Sequence, residues 1–364
     1  RHTAEHHTLV LTDSSSQHVA APNLDALPFI APNQQAQAHA QHIRSWEFAR
    51  QVQPGAYIHD SYDLKRPSVD LQAKKTVARS YSLSEGEVYD WSGAYEEKAD
   101  GEQYADVRIN ELATQFETAD AVTTARGVTV GCSLALEDHP RDDQNQEYLV
   151  LATNYDMKCG EYEGLPSEEA TTCQCDFVML STKQQFRPRR LTTKPFVQGP
   201  QTAVVVGPSG DEIYTDEYGR VKCQFHWDRL GKQDENSSCW IRVSHPWAGK
   251  GWGAVATPRI GQEVIVSFLE GDPDRPIITG RVYNAEQTPP FGFPAGAVSS
   301  GIKSDTHKGT GYNEMSFDDT AGTEKVTIHG QYDMNTTVEH DQTSTIHNNR
   351  TDQVDVDDSE TVGS

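Results

Sequence analysis

The most regular hydrophobic pattern of the chain lies near its C-terminus, where an apolar residue returns every eight positions. Val338, Ile346, Val354 and Val362 keep this spacing. Polar turn-forming residues repeat with the same period in two further phases, which are Asp333, Asp341, Asn349 and Asp357, and Thr343, Thr351 and Ser359. Short strands punctuated by turns at a fixed period are typical of a solenoid.

One apolar residue per octad cannot fill a core within a single chain, so several copies would have to share one. Identical chains wound around a symmetry axis are the simplest solution. We therefore predict that Val338, Ile346, Val354 and Val362 line the core of an intertwined β-helix that several copies of the chain build together. A disordered acidic tail is the alternative, because residues 352–360 are rich in Asp. Disorder, however, would not require the apolar residues to keep their phase.

Residues 202–283 show short apolar runs separated by turn signals, at spacings typical of a small barrel. The strands predicted there cover residues 203–206, 220–227, 239–243, 253–256, 263–269 and 277–282. In the second of them, Val221, Cys223, Phe225 and Trp227 would share one face. About five strands in a segment of this length favour a partly open barrel of the OB type. We predict Phe225, Trp227, Trp240 and Trp247 to be packing residues of this barrel.

The first half of the chain mixes strand patterns with one amphipathic helix. Ala105, Ile109, Leu112, Phe116 and Ala119 form an apolar stripe that predicts a helix across residues 102–118, packed on a sheet. Strands are predicted at residues 7–11, 127–136 and 147–154, and a Pro-punctuated loop at 24–35. The region therefore favours an α+β arrangement of β-barrel-like lobes with a covering helix. The basic, Pro-containing run after Phe186 ends the pattern and indicates a domain boundary.

Charge and cysteine content narrow the function classes. The formal net charge of −23 argues against binding a nucleic-acid backbone or an anionic membrane surface. No apolar run approaches the length of a membrane span, and residues 1–10 lack the apolar segment of a signal peptide. Six cysteines, of which only Cys173 and Cys175 are close in sequence, are typical of a protein made in a reducing cytoplasm.

Candidate ligand and catalytic patterns are weak. A soft-metal site at Cys173 and Cys175, with Cys159, lacks a second pair at zinc spacing, so core or loop thiols are favoured. A strand edge is favoured over a metal site at His2, His6 and His7. The acidic run of Asp355, Asp357, Asp358 and Glu360 lacks the frame of a calcium loop, although ion binding there stays open. Because no catalytic motif occurs, we predict no enzyme activity and no cofactor. A structural barrel is favoured over an oligonucleotide-binding one, because of the net charge.

Several long motifs in the barrel resemble the OB domain of VgrG, the valine-glycine repeat spike family of type VI secretion. They include Asp216-Glu217-Tyr218-Gly219-Arg220 and Gly271-Asp272-Pro273. Upstream, His139-Pro140-Arg141 resembles the end of the phage-hub-like domain of that family. Downstream, Phe317-Asp318-Asp319 resembles the lead into its β-helix. The chain departs from the family where Glu339, His347 and Asp355 replace a Gly that often follows the octad residue.

The resemblance implies a mainly β protein of three parts. These are an N-terminally incomplete phage-hub-like domain at residues 1–195, an OB-fold domain at 196–290, and a linker with the start of a trimeric β-helix spike at 291–364, incomplete at its C-terminus. It implies a homotrimer that sits on a tube of Hcp protein and carries a PAAR-type tip protein, effectors, or their adaptor or chaperone proteins. No nucleic acid and no stable membrane insertion are expected.

The resemblance also implies a protein that is made in the bacterial cytoplasm without a signal peptide and exported by the secretion machine into a target cell. Two alternatives stay open. One is a spike with a toxic enzyme domain beyond residue 364, and the other is the hub and spike of a contractile phage tail. A tail spike would carry a lysozyme domain between barrel and helix, and residues 283–320 are too few to hold one.

Overall fold

The computed structural model describes residues 3–33, 41–79, 81–91, 93–158 and 172–363. The chain divides into two compact units, Arg1–Thr192 and Thr193–Ser364. Among the described residues, no helix has both the length and the apolar character needed to cross a membrane. The mainly β fold class is confirmed, because all but one of the long elements described below are strands.

The first unit contains nine strands and one α-helix among its described residues. In chain order they are β1 (Ala26–Pro28), β2 (Ile43–Arg50), β3 (Ala56–Asp60), β4 (Ala73–Thr76), β5 (Glu87–Trp91), α1 (Lys98–Thr114), β6 (Glu117–Thr123), β7 (Ser133–Glu137), β8 (Glu147–Lys158) and β9 (Thr172–Ser181). Six strands form one sheet in the order β1-β7-β8-β9-β6-β2, and β4-β3-β5 form a smaller sheet. Both sheets mix parallel and antiparallel pairs.

Alternating apolar residues of the six-stranded sheet build the main core of this unit. Ala121 lies opposite Phe177 and Val150 opposite Met179, and all four are buried. Successive side chains of a strand point to opposite faces of the sheet. The four residues share one face, so that face lies in the core. Leu27 and Ile43 join the same cluster from outer strands.

The predicted helix exists and packs on a sheet, but it ends earlier than predicted. Ala105 and Ile109 of α1 are buried against Tyr57 of β3. The Gln115 amide already bonds to the Leu112 carbonyl, which tightens the last turn. Ala119, counted in the helical stripe, lies instead in β6. Ala119 is a buried residue of β6 that lies three positions after Phe116. It therefore continues the spacing of the helical stripe by coincidence.

Three other local predictions for this unit need correction. Residues 8–11 form no strand, and Leu9 and Leu11 are exposed because no neighbouring strand pairs with them. The strand predicted at 127–136 begins only at Ser133, after a turn in which Gly131 has a φ of 81°. The predicted loop at 24–35 contains β1, and its residues 34 and 35 lie outside the described residues. The strand at 147–154 is present and extends to Lys158.

The second unit begins with a rolled five-stranded sheet. Its elements are β10 (Gln201–Val206), β11 (Lys222–Phe225), β12 (Arg242–Val243), the hairpin strands β13 (Trp247–Ala248) and β14 (Gly253–Ala254), β15 (Glu263–Phe268) and β16 (Pro276–Val282). The sheet order is β11-β10-β15-β16-β12. Val221 and Ile241, next to the two edge strands, form a bridge that closes the barrel around a core that includes Val205 and Val264.

A three-stranded antiparallel sheet follows, with the order β17-β18-β19. These strands are β17 (Ser299–Lys303), β18 (Glu314–Asp318) and β19 (Lys325–His329). Residues 331–363 then contain no strand or helix, so the short strands predicted for the octads do not form in a single chain. A strand requires a hydrogen-bonded neighbour, and one copy of the octads provides none.

Candidate assembly surfaces

One face of the β17–β19 sheet is apolar and uncovered. Met315 lies opposite Ile302 on one side and Ile328 on the other, and Phe317 lies opposite Val326. These five residues define the apolar sheet face, and their exposed fractions run from 38% for Phe317 to 78% for Ile302. Cross-strand neighbours on one face normally pack into a core. Here they face outward in a single chain.

The opposite face of the same sheet is polar and satisfied by its own contacts. The buried Ser316 hydroxyl donates to Glu314 Oε1 at 2.5 Å. Glu314 also lies 3.8 Å from Lys303 Nζ, and the His329 ring contacts the Tyr312 carbonyl at 3.0 Å. The sheet therefore has two chemically distinct faces. We expect the apolar face to need a covering partner.

The predicted core residues of the octads also lie at the surface of a single chain. Val338, Ile346 and Val354 each expose about half of their area, and Val362 exposes 82%. They follow the apolar sheet face directly in sequence. Their burial in a shared core stays a prediction, since one copy supplies no second wall.

The motif Asp216-Glu217-Tyr218-Gly219-Arg220 is a hydrogen-bonded turn that leads into β11. The Asp216 carboxylate accepts bonds from the Tyr218 and Arg220 amides at 3.1 and 2.9 Å, and from Arg220 Nε at 2.6 Å. Burial alone would raise the pKa of Asp216, but these donors outweigh it and hold the pKa below its ordinary value. Gly219, at a φ of 69°, supplies the left-handed conformation of the turn. Glu217 is exposed.

The motif Gly271-Asp272-Pro273 holds the segment that enters the barrel. The Gly271 carbonyl accepts a bond from the Val197 amide at 2.8 Å. A side chain at Gly271 would collide with the Phe196 ring, and its φ of 70° also favours glycine. Asp272 binds Lys194 Nζ at 2.7 Å. Burial would raise the pKa of Asp272, yet Lys194 and the Asp274 amide lower it overall.

The four predicted packing aromatics of the barrel divide into two pairs. Phe225 is half-buried against the core, and Trp240 is half-buried with its ring 4.9 Å from that of Tyr214. Trp227 and Trp247, by contrast, are 67% and 62% exposed, so neither lies in the barrel core of one chain, although the Trp227 ring stacks on Phe225 at 5.2 Å.

Two local features explain the exposed tryptophans. Strand β11 ends at Phe225, and a turn follows in which the Asp228 amide bonds to the Phe225 carbonyl, so the inward alternation stops before Trp227. Trp247 sits on the hairpin β13–β14, where its ring packs edge-on against Trp252 at 5.1 Å.

The candidate metal patterns do not assemble in the described part of the chain, where no group of three or more His, Cys, Asp or Glu side chains could hold an ion. Cys175 is buried in the six-stranded sheet, and burial raises the pKa of its thiol. Cys159 and His2, which belonged to two of those patterns, lie outside the described residues.

The apolar sheet face is the functional feature that sequence reasoning missed. A signal was present, because Met315 and Phe317 alternate with polar residues, as do Val326 and Ile328. Alternation of this kind indicates a strand with one covered face. The sequence contains no comparable signal for the contact of Asp272 with Lys194 or for the hydrogen bonds of Asp216 with backbone amides.

Three family models match successive parts of the chain. Residues 1–160 match the phage tail baseplate hub (GPD) family. Residues 202–283 match the type VI secretion system/phage-baseplate injector OB domain. Residues 300–364, which include the apolar sheet face and the octads, match the bacteriophage T4 gp5 C-terminal trimerisation domain. The predicted OB barrel is confirmed.

Individual relatives extend over nearly the whole chain. It is 45% identical over 358 residues to the type VI secretion system spike protein VgrG1b of Pseudomonas aeruginosa, an alignment that covers 98% of this chain and 48% of that protein. It is 36% identical over 353 residues to VgrG3 of Vibrio cholerae, covering 95% and 34%. The chain thus spans about half the length of the first relative and about a third of the second.

Among solved structures, one similar chain is the E. coli c3393 protein, described as a type VI secretion component that resembles the T4 tail proteins gp27 and gp5. Its TM-score is 0.40 at 15% sequence identity, covering 71% of this chain and 49% of that one. The sequence relatives and the family matches carry the assignment. The chain belongs to the VgrG family of type VI secretion spike proteins, which is related to phage tail hubs and spikes.

Proposed function

We propose that this chain works as a homotrimer, in which three copies cover one another's apolar sheet face and octad residues. The uncovered apolar sheet face is the observation that carries the proposal. The match of residues 300–364 to a trimerisation domain supports the choice of identical copies as the partner. A trimer would also give the octads the neighbouring backbones that strands need.

The energetics favour assembly through this region. Each Val, Ile, Met or Phe that passes from exposed to fully buried contributes about 1.5–3 kcal/mol. The apolar sheet face and the octads together offer nine such residues per copy, already partly covered, so each gains a fraction of that figure. Association entropy opposes the gain, but a surface repeated three times around an axis multiplies the favourable contribution.

We further propose that the trimer is the spike of a type VI secretion puncturing device. Its hub-like unit would sit on the Hcp tube, and the β-helix would carry a PAAR-type tip protein and effectors, with their adaptor or chaperone proteins, into a target cell. The names of the relatives as secretion spike proteins support this role. In this proposal the OB barrel is a rigid adaptor, and the chain punctures mechanically and catalyses nothing itself.

Oligomeric state tests the trimer directly. The change Ile346→Asp would place three carboxylates in one apolar layer, where burial of unpaired charge is costly. We expect sedimentation equilibrium to show a reduced trimer population, and a melting transition at lower temperature. The matched control, Asp357→Asn with Asp358→Asn, alters exposed acids of the same repeats and should leave both unchanged. An undisturbed trimer in the Ile346→Asp protein would contradict burial at that layer.

A spike that also carries a toxic enzyme is the second candidate. One relative, 35% identical over 354 residues, is named actin cross-linking toxin VgrG1 of Vibrio cholerae, and this chain covers 32% of it. In that case the enzyme would belong to sequence beyond the spike region. Hydrolysis of peptidoglycan, lipid or nucleic acid by the purified 364-residue chain would instead contradict a purely mechanical role for these residues.

A further inference from the structure

Two cysteines lie close to each other where the OB barrel closes. Val221 and Ile241 exchange both of their backbone hydrogen bonds, at 3.0 and 2.8 Å, which makes them a directly opposed antiparallel pair. Two residues from that pair stand Cys223, in β11, and Cys239, which precedes β12 outside any strand. Residues two apart on a strand share a face, so Cys223 lies in the core beside Val221, whereas Cys239, outside the strands, is exposed.

Side-chain contacts continue from the bridge towards the two cysteines. Lys222 and Trp240, the intervening pair, touch, with the ammonium 5.1 Å from the ring centre. At the cysteine pair, the Ser238 hydroxyl accepts a bond from the Cys223 amide at 3.0 Å and donates to the Cys239 carbonyl at 2.7 Å. The hydroxyl thus takes the place of a direct bond between the two cysteine backbones. The two cysteines are therefore neighbours through this hydroxyl, although direct backbone pairing ends at Val221 and Ile241.

Both cysteines are free thiols in the structure, one buried and one exposed. Burial, and then the neighbouring Cys239 thiol, raise the pKa of Cys223 to about 12. Burial also raises the pKa of the Cys239 thiol, against the opposing influence of Lys222 and Arg220. A raised thiol pKa keeps the reactive thiolate scarce at neutral pH. Both thiols therefore react slowly with oxidants while the protein is made and assembled.

We propose that Cys223 and Cys239 form an oxidation site, at which a disulfide-bearing oxidant creates a disulfide that locks the closure of the barrel. Only the Ser238 hydroxyl separates the two cysteine backbones, so a small shift of the segment before β12 would bring their Cα atoms into the range of about 4.4–6.8 Å that a disulfide spans. The bond would close the loop of residues 224–238 and restrict the unfolded chain. The lock would form only after the spike leaves a reducing compartment.

The reaction needs no group beyond the oxidant. The exposed Cys239 thiol loses its proton and attacks one sulfur of the oxidant, expelling the other as a thiolate. Cys223 then loses its proton and attacks the Cys239 sulfur of the mixed disulfide, expelling the second thiolate. The two cysteines together give up two protons and two electrons, and the oxidant disulfide is reduced to two thiols.

Peptide mapping of the whole chain after incubation with oxidised glutathione tests the proposal. We expect a peptide that joins Cys223 to Cys239, a fall from six to four titratable thiols in the denatured protein, and a higher melting temperature that dithiothreitol reverses. The double variant Cys173→Ser with Cys175→Ser should keep the crosslink, and Cys223→Ser should leave Cys239 carrying glutathione.

Mapping of the unaltered protein decides the matter even if a variant fails to fold. A stable glutathione adduct on Cys239 beside a reduced Cys223 would overturn the proposal. So would a crosslink that joins either residue to a different cysteine, or two thiols that stay reduced throughout.

Discussion

At the scale of single residues, the OB motifs are best understood by what each side chain does for the backbone. Asp216 satisfies two amides of its own turn and pairs with Arg220, whose guanidinium in turn lies 5.4 Å from the Tyr218 ring centre. Gly271 leaves room for the Phe196 ring. These motifs therefore fix the entry into the barrel and the start of β11. They build the scaffold of the barrel.

The Asp216 carboxylate should make the stability of the barrel depend on pH. Its folded-state pKa is lowered, so its contribution is present above about pH 4, the usual range of a free carboxyl, and is lost as the pH falls through the folded-state value. Hydrogen bonds to a charged group contribute about 1.5–3 kcal/mol. We expect Asp216→Asn to lower the free energy of unfolding by about this amount at pH 7, and by less in acid.

Denaturant unfolding followed by tryptophan fluorescence, at a series of pH values, measures this difference. Glu217→Gln is the matched control, because it removes a neighbouring acid of the same motif that is exposed. It should change the unfolding free energy little at any pH. A loss in the Asp216→Asn protein that is equal at pH 7 and in acid would show that the ionised carboxylate is not its source.

At the scale of elements, the apolar sheet face gives a second and independent test of assembly. Val326→Asp would place a carboxylate on that face in every copy, and we expect a lower trimer population by light scattering. Ala321→Asp adds the same charge in the exposed turn between β18 and β19 and should leave the trimer intact. Equal effects of the two changes would mean that the sheet face is not the contact.

The elements also show what a sequence can and cannot predict. Strands β10, β11, β15 and β16 were predicted at nearly their observed positions, because alternation reports which face of a strand is covered. The exposed position of Trp227 was not predictable in this way, since alternation does not report where a strand ends. The end of α1 was missed for a similar reason, because Ala119 continued the helical period from within a strand.

Pairing between distant segments was beyond the sequence altogether. Cys223 and Cys239 come close because the barrel closes at Val221 and Ile241, and contacts across a closure depend on tertiary packing. For the same reason the link from Lys194 to Asp272 had no signal in the pattern. The octads differ, because a strict repeat indicates a repeating structure directly from the sequence, and their shared core stays a prediction.

At the scale of the whole molecule, the negative net charge and the octad repeat both agree with the proposed role as a secretion spike. The net charge of −23 keeps each copy soluble and disfavours adhesion to nucleic acid or anionic lipid before use. In the proposed trimer, backbone hydrogen bonds of the octads run between chains, so an applied load is shared among many bonds instead of one contact. Passage through a target envelope would then depend on external force and not on spontaneous membrane insertion.

Secretion by living cells tests this mechanical role. A donor strain whose full-length spike carries Val338, Ile346 and Val354 all changed to Asp should export less Hcp into the medium, because each change places repelling charges in a shared apolar layer. A strain with Asp357→Asn and Asp358→Asn should export Hcp normally, since these acids are exposed. Immunoblots of Hcp in culture supernatants, normalised to equal cellular levels of spike protein, measure both. Equal export by the two strains would refute the shared octad core as the element that the spike needs to function.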